Sequence, residues 1–181
     1  MRVITGIARG AKLLTLEGED VRPTADRVKE AIFSIIQFEI EGRNVLDLFA
    51  GSGQLGIEAL SRGAVSCTFV DQRNEAAAMV KQNLMNVKLF EKAKVLTSEA
   101  VAFLKYSKNV FDIAIIDPPY SKGLVNAVLP YVAPLMSPQG SIICEVAKKD
   151  ELPKNAGDFV LVNQYNYGKT SVGLYKKQEN L

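Results

Sequence analysis

Two stretches of the sequence combine residue types that could act on a bound ligand. The first is Asp47-Leu48-Phe49-Ala50-Gly51-Ser52-Gly53-Gln54-Leu55-Gly56, with Asp71 further along the chain. Gly51, Gly53 and Gly56 fit the Gly-x-Gly-x-x-Gly pattern, which lets backbone approach a ligand and lets a helix pack tightly on a sheet. Asp71 closes an apolar run, where a carboxylate can accept hydrogen bonds from both hydroxyls of a ribose. A tight turn and a solvated strand-end acid would explain the same residues without a ligand. The ribose could belong to a nicotinamide cofactor or to S-adenosylmethionine, and Asp47 favours the second. A carboxylate at the mouth of the loop repels a pyrophosphate and attracts an ammonium and a sulfonium. Asp47 could equally be a buried acid satisfied by loop amides, and the two readings are compatible.

The second stretch is Asp117-Pro118-Pro119-Tyr120, directly after the apolar run Phe111 to Ile116. Its chemistry suits an exocyclic amine, a poor nucleophile because its lone pair is delocalised into the ring. The Asp117 carboxylate and the Pro118 carbonyl could hold the two N–H groups and favour a pyramidal nitrogen. Proline fixes the backbone so that the carbonyl turns inward. Tyr120 offers a face for a base taken out of its stack. The plainer alternative is that Pro118-Pro119 stops a strand and Tyr120 packs.

The elements around these residues form a regular alternation. Short β-prone stretches, Arg2 to Ile7 and Lys12 to Leu16, flank Ala8-Arg9-Gly10-Ala11 and predict a small hairpin or arm. Pro23-Thr24 then opens a helix whose apolar face, Val28, Ala31, Ile32, Ile35 and Ile36, runs until Gly42. From Asn44 strands and helices alternate. The strands are Asn44 to Phe49, Ser66 to Asp71, Ala93 to Thr97, Phe111 to Asp117 and Gly140 to Val146. The helices are Gly53 to Arg62, Asn74 to Val87, Glu99 to Tyr106 and Leu124 to about Met136, the last interrupted by Pro130 and Pro134. This order implies right-handed βαβ units and a parallel sheet. Phe159 to Tyr165 and Thr170 to Lys176 flank Asn166-Tyr167-Gly168-Lys169 and predict an antiparallel hairpin. The expected fold class is α/β, with a seven-stranded, mostly parallel sheet closed by that hairpin. A single domain spans 1–181, with 1–42 an N-terminal extension and 43–181 the core.

Composition narrows the chemistry further. The 181 residues contain no histidine, which excludes Ser-His-Asp and Cys-His machinery, His-ligated metals and a histidine base. No metal site is expected. Acids and bases must then be carboxylates, amines or phenols. Cys67 and Cys144 lie in apolar runs and read as buried free thiols, which together with the lack of a signal-peptide pattern predicts the reducing cytoplasm. The longest apolar run, Leu124 to Met136, is too short to span a bilayer. The net charge of +2 is too mild to argue for nucleic acid. Residues 1–16 nevertheless hold Arg2, Arg9 and Lys12 without an acid, either a solvated surface or a local basic patch.

Asp47 to Gly56 with Asp71 resembles the S-adenosylmethionine site of Rossmann-like (class I) methyltransferases, and Asp117 to Tyr120 resembles the motif of their amino-methylating branch. Met1-Arg2-Val3-Ile4-Thr5-Gly6 with Arg9-Gly10 and Leu13, followed by Arg22-Pro23-Thr24-Ala25-Asp26-Arg27-Val28-Lys29-Glu30-Ala31-Ile32-Phe33, is similar to the bacterial RsmD family. Members of that family methylate the N2 amine of a guanine in small-subunit (16S) ribosomal RNA. The resemblance implies that Asp47, Gly51 and Gly53 line the methionine end of the cofactor, that Phe49 also belongs to the cofactor site and that Asp71 takes the ribose. It implies that Glu99 stands where an aspartate commonly approaches the adenine. Asp117, Pro118 and Tyr120 would hold the target base. Arg22, Thr24 and Arg27 would lie near the active-site mouth, and Arg2, Arg9, Lys12, Arg22 and Arg27 would contact the RNA, free or in an assembling ribosomal particle. A DNA-adenine or protein-glutamine methyltransferase shares the second motif. An NAD-dependent oxidoreductase would account only for the first, and a non-catalytic RNA-binding protein leaves Asp117 to Tyr120 unexplained.

Overall fold

The computed structural model describes residues 1–15, 23–120 and 123–180, with backbone alone for 23–25. Five strands, β1 (Asn44–Leu48), β2 (Ser66–Asp71), β3 (Ala93–Thr97), β4 (Phe111–Ile116) and β5 (Met136–Ala147), are joined by parallel pairings. Helices α2 (Gln54–Ser61), α3 (Asn74–Asn86), α4 (Ala100–Tyr106) and α5 (Leu124–Val132) connect them, and α1 (Pro23–Ile35) precedes them. The chain closes with β6 (Asn155–Ala156), β7 (Phe159–Tyr167) and β8 (Thr170–Lys177), all antiparallel. Among the described residues the sheet order is β3-β2-β1-β4-β5-β8-β7-β6.

Strand alternation sorts the apolar residues into two cores. Val45, Ile113, Ile115 and Ile143 face one side, against Ile32, Phe33 and Ile36 of α1, Ile57 and Leu60 of α2, and Val80 and Leu84 of α3. Leu46, Leu48, Ala114, Ile116, Ile142 and Cys144 face the other, against Leu104 of α4 and Val125, Leu129 and Val132 of α5. Central strands covered on both faces have no polar side to present, so they read as continuous apolar runs. Burying each such side chain contributes about 1.5–3 kcal/mol.

The parallel strands and C-terminal hairpin appear where the sequence predicts them, with four differences. An eighth strand, β6, adds two residues at the edge; so short a strand has no periodicity to read. Among the described residues the N-terminal arm forms one antiparallel bridge, Arg2 to Lys12, in place of two strands, and Leu16 lies outside them. Strand β5 starts at Met136, because its first residue pairs with Phe111 before the register shifts and resumes at Ser141 opposite Ile113. Helix α5 carries Pro130 within it and stops at Val132, and Pro134 falls in a following 3-10 turn. Both cysteines are free and buried.

Candidate active site

The register of the parallel strands assembles the site. Leu48 of β1 pairs with Val70 of β2 and Ile116 of β4, and Ile116 pairs with Cys144 of β5. One residue further along each strand, Asp71, Phe49, Asp117 and Glu145 therefore stand side by side at the carboxyl edge. In open α/β sheets this edge, beside the strand where the order reverses, is where ligands bind. Here β1 starts the two directions, toward β2 and toward β4.

At Phe49 the chain leaves β1 with φ of 69°, a left-handed conformation uncommon for a bulky residue. The turn is held because the Val70 carbonyl accepts from the amides of both Phe49 and Ala50. Gly53 caps α2 in the left-handed region at φ of 79°. A Cβ at Gly56 would lie 2.3 Å from Phe69 Cε1 and 2.7 Å from Cys67 Sγ, so α2 packs on β2 only through a glycine. Gly53 and Gly56 thus have distinct backbone roles.

Two acids control the turn. Asp47, 1% exposed, accepts at Oδ2 from the Gly56 amide, 2.8 Å away. Burial pushes its carboxyl up to about 7; the Gly56 hydrogen bond opposes this and the Asp71 charge adds to it. A buried acid so disposed is stabilised in its ionised form by a nearby cation, which fits a ligand carrying an ammonium and a sulfonium. Asp71 accepts at Oδ2 from the Gly51 amide at 2.9 Å and at Oδ1 from the Arg73 amide and Nε at 2.9 and 3.1 Å. Burial raises the Asp71 carboxyl, but the Arg73 and Gly51 donors outweigh it and hold the group below the usual range. Asp71 is therefore an ionised acceptor at the end of β2.

The second stretch begins where the Asp117 amide donates to the Leu48 carbonyl at 3.5 Å, tying it to the end of β1. Pro118 is buried and Pro119 exposed. Tyr120, half-buried, donates its hydroxyl to Glu145 Oε1 at 2.7 Å and lies 2.7 Å from Thr170 Oγ1. Burial pushes this phenol up to about 12, helped by Glu145 and Asp117 and opposed by Thr170. It is a protonated anchor and not a base. Its ring is fixed from two other strands, β5 and β8.

Glu99 caps α4: its two oxygens accept from the amides of Val101 at 3.1 Å and Ala102 at 2.8 Å. It follows β3, which pairs with β2 through Thr97 and Asp71. Arg2, Arg9, Lys12 and Arg27 are all exposed. Arg22 and the side chain of Thr24 lie outside the described residues.

The N-terminal arm is attached to the rest of the chain by buried polar side chains of α1, α2 and α3. The buried Glu58 accepts from the Ile4 and Thr5 amides at 2.7 and 3.0 Å and from Arg62 Nε at 2.8 Å, with Lys29 Nζ at 4.0 Å. Lys29 is itself buried and donates to the Arg2 carbonyl at 2.6 Å; burial lowers its pKa, against the pull of Glu58. Asn83, fully buried, receives the Leu14 amide and donates to the carbonyls of Leu14 and Ser52, so it joins the arm to the glycine turn. Sequence reasoning missed Glu58, Lys29, Asn83, Glu145 and Thr170. The one available signal was a charged or amide residue on an otherwise apolar helix face or strand, which shows burial only once the partners are known.

A family model described as conserved hypothetical protein 95 matches residues 1–176. The chain belongs to that family. Among its relatives, YlbH of Bacillus subtilis is 40% identical, covering 98% of this chain and all of its own. "Ribosomal RNA small subunit methyltransferase D" of Haemophilus influenzae is 36% identical over 97% of this chain and 93% of its own. The solved structure of yhhF from Escherichia coli superposes with a TM-score of 0.88 at 31% identity, covering 98% of this chain and 97% of that one. Family and fold agree with the resemblance carried by the N-terminal signature and the two edge motifs. Among the described residues no helix is long and apolar enough to cross a membrane.

Proposed function

We propose that this protein transfers a methyl group from S-adenosylmethionine to the N2 amine of a guanine in small-subunit ribosomal RNA. The observation that carries the reading is the juxtaposition, one residue past paired strand ends, of the Phe49 to Gly53 turn and the Asp117 to Tyr120 stretch. A methyl donor held on the turn and an amine held at Asp117 would be neighbours. The family relatives named small subunit methyltransferase D support the substrate class.

In this reading Asp47 holds the cationic end of the cofactor, Asp71 its ribose, and Phe49, Gly51 and Gly53 the backbone that approaches it. Glu99 sits beside the adenine end while capping α4. The sulfonium supplies an activated methyl and its own leaving group. The Asp117 carboxylate and the Pro118 carbonyl accept the two N–H groups of the amine and aim its lone pair. The base rests on the Tyr120 ring. As nitrogen gains the methyl, one proton becomes acidic and passes to Asp117 or to water, so no strong base is required. Alignment and proximity supply most of the rate. Arg2, Arg9, Lys12, Arg22 and Arg27 contact RNA phosphates, and the protein acts in the cytoplasm, where Cys67 and Cys144 stay reduced.

Nucleoside mass spectrometry of small-subunit RNA from cells with and without the protein tests the substrate. Loss of N2-methylguanosine on deletion is expected, and an unchanged level removes the ribosomal assignment. Titration with NADH and with S-adenosylmethionine separates the oxidoreductase reading, which requires tight binding of the former alone.

A further inference from the structure

Beside the Asp117 stretch, on the side away from β1, lies a cavity of about 490 Å³ between the start of α5 and the end of β5. Pro118, Tyr120, Leu124, Val125, Glu145 and Lys149 are among its lining residues. Its walls combine an aromatic and apolar surface with the charged residues Glu145, Lys149, Asp150 and Glu151. Glu145 follows Cys144, which pairs with Ile116, so it is the register neighbour of Asp117 on a strand about 4.8 Å away. Asp117 directly precedes Pro118 of the cavity wall, so the two acids stand at neighbouring positions of the same edge. Glu145 Oε1 already accepts the Tyr120 hydroxyl, which fixes the carboxylate and the ring relative to one another.

The edge of a guanine presents N1–H and the N2 amine as adjacent donors, whereas adenine presents an acceptor at N1. Two neighbouring carboxylates form an acceptor-only edge, which matches the first and opposes the second. We infer that Glu145 is a specificity-determining residue, which accepts the N1–H of the target guanine in this cavity while Asp117 and Pro118 hold its N2 amine. The inference rests on the proposed guanine-N2 reaction and adds to it the means of choosing the base. It also assigns Thr170 a positioning role, since Thr170 and Glu145 together orient Tyr120.

The test compares RNA carrying guanine at the methylated position with RNA carrying 2,6-diaminopurine there. Both bases present the same 2-amino group, but the second has an acceptor in place of N1–H. Methyl transfer from labelled S-adenosylmethionine is measured for the wild-type chain and for Glu145→Gln, whose carboxamide can donate to that acceptor. The wild type should prefer guanine by about 10-fold or more. Glu145→Gln should lose most of that preference while its calorimetric affinity for S-adenosylmethionine stays the same. An unchanged preference in Glu145→Gln overturns the role of Glu145 and leaves the guanine-N2 reaction standing. Loss of cofactor binding in Glu145→Gln makes the residue part of the fold and also overturns its role. Failure of the wild type to methylate guanine N2 in small-subunit RNA or particles overturns the reaction and this inference together.

Discussion

The site's carboxyl groups differ in protonation because their surroundings differ, and that difference gives separable predictions. Asp47 is held near 7 by burial, far above its ordinary 3.8, so between those values the folded protein without ligand binds a proton that the unfolded chain does not. By linkage its contribution to stability falls as pH rises from about 4 to about 7. A cationic cofactor favours the ionised form, so binding below pH 7 should release a proton and tighten as pH rises. Calorimetry at pH 6.5 in buffers of different ionisation enthalpy should detect that proton, and Asp47→Asn should abolish it. Asp71, already ionised, should instead contribute hydrogen bonds: Asp71→Ala should weaken cofactor affinity about 10-fold or more without proton linkage. In the proposed reaction Asp117 acts on the amine. Asp117→Ala should lose roughly 10²-fold or more in single-turnover methyl transfer, as expected when alignment is lost, with cofactor affinity unchanged. Abolished cofactor binding in that variant would contradict this division of roles.

At the scale of elements, the site depends on how closely α2 packs on β2. Gly56→Ala would gain about 1 kcal/mol of helix propensity, but its Cβ would meet Phe69 and Cys67 well inside contact distance. Overpacking costs about 1–3 kcal/mol, so a net loss is expected in denaturant unfolding, with weaker cofactor binding as the turn is pushed off β2. An unchanged unfolding midpoint would show that the interface can relax. The hydrogen bonds of Glu58 and Asn83 make the N-terminal arm an extension of the same packing. Gly6, at φ of 87°, shows how close the contact is: a Cβ there would fall 1.8 Å from the Ser61 carbonyl oxygen. The arm that carries Arg2, Arg9 and Lys12 is thus fixed relative to the glycine turn.

For the molecule as a whole, a net charge of +2 predicts weak nonspecific attraction to RNA, and the exposed basic residues of the arm concentrate what there is. Each of Arg2→Ala, Arg9→Ala and Lys12→Ala should lower the slope of log affinity against log salt by about one where the residue meets a phosphate. Filter binding across a salt series would measure this, with cofactor affinity as the control; an unchanged slope would remove the arm from the RNA contact. The sequence by itself determined the strand and helix alternation, the glycine turn with Asp47 and Asp71, and the Asp117 to Tyr120 stretch. These rest on local periodicity, backbone conformation and short motifs, which neighbours in the chain specify. The missing histidine also fits: a sulfonium brings its own leaving group, and acceptors suffice to aim an amine. Only the tertiary structure decided that Glu145 stands beside Asp117, that Tyr120 is anchored by Glu145 and Thr170, and that Glu58 and Asn83 hold the arm. Those partners are 25 to 69 residues apart in the chain. Their meeting depends on strand register and helix packing, so a lone acid or amide within an apolar run gives no sign of which distant group it satisfies.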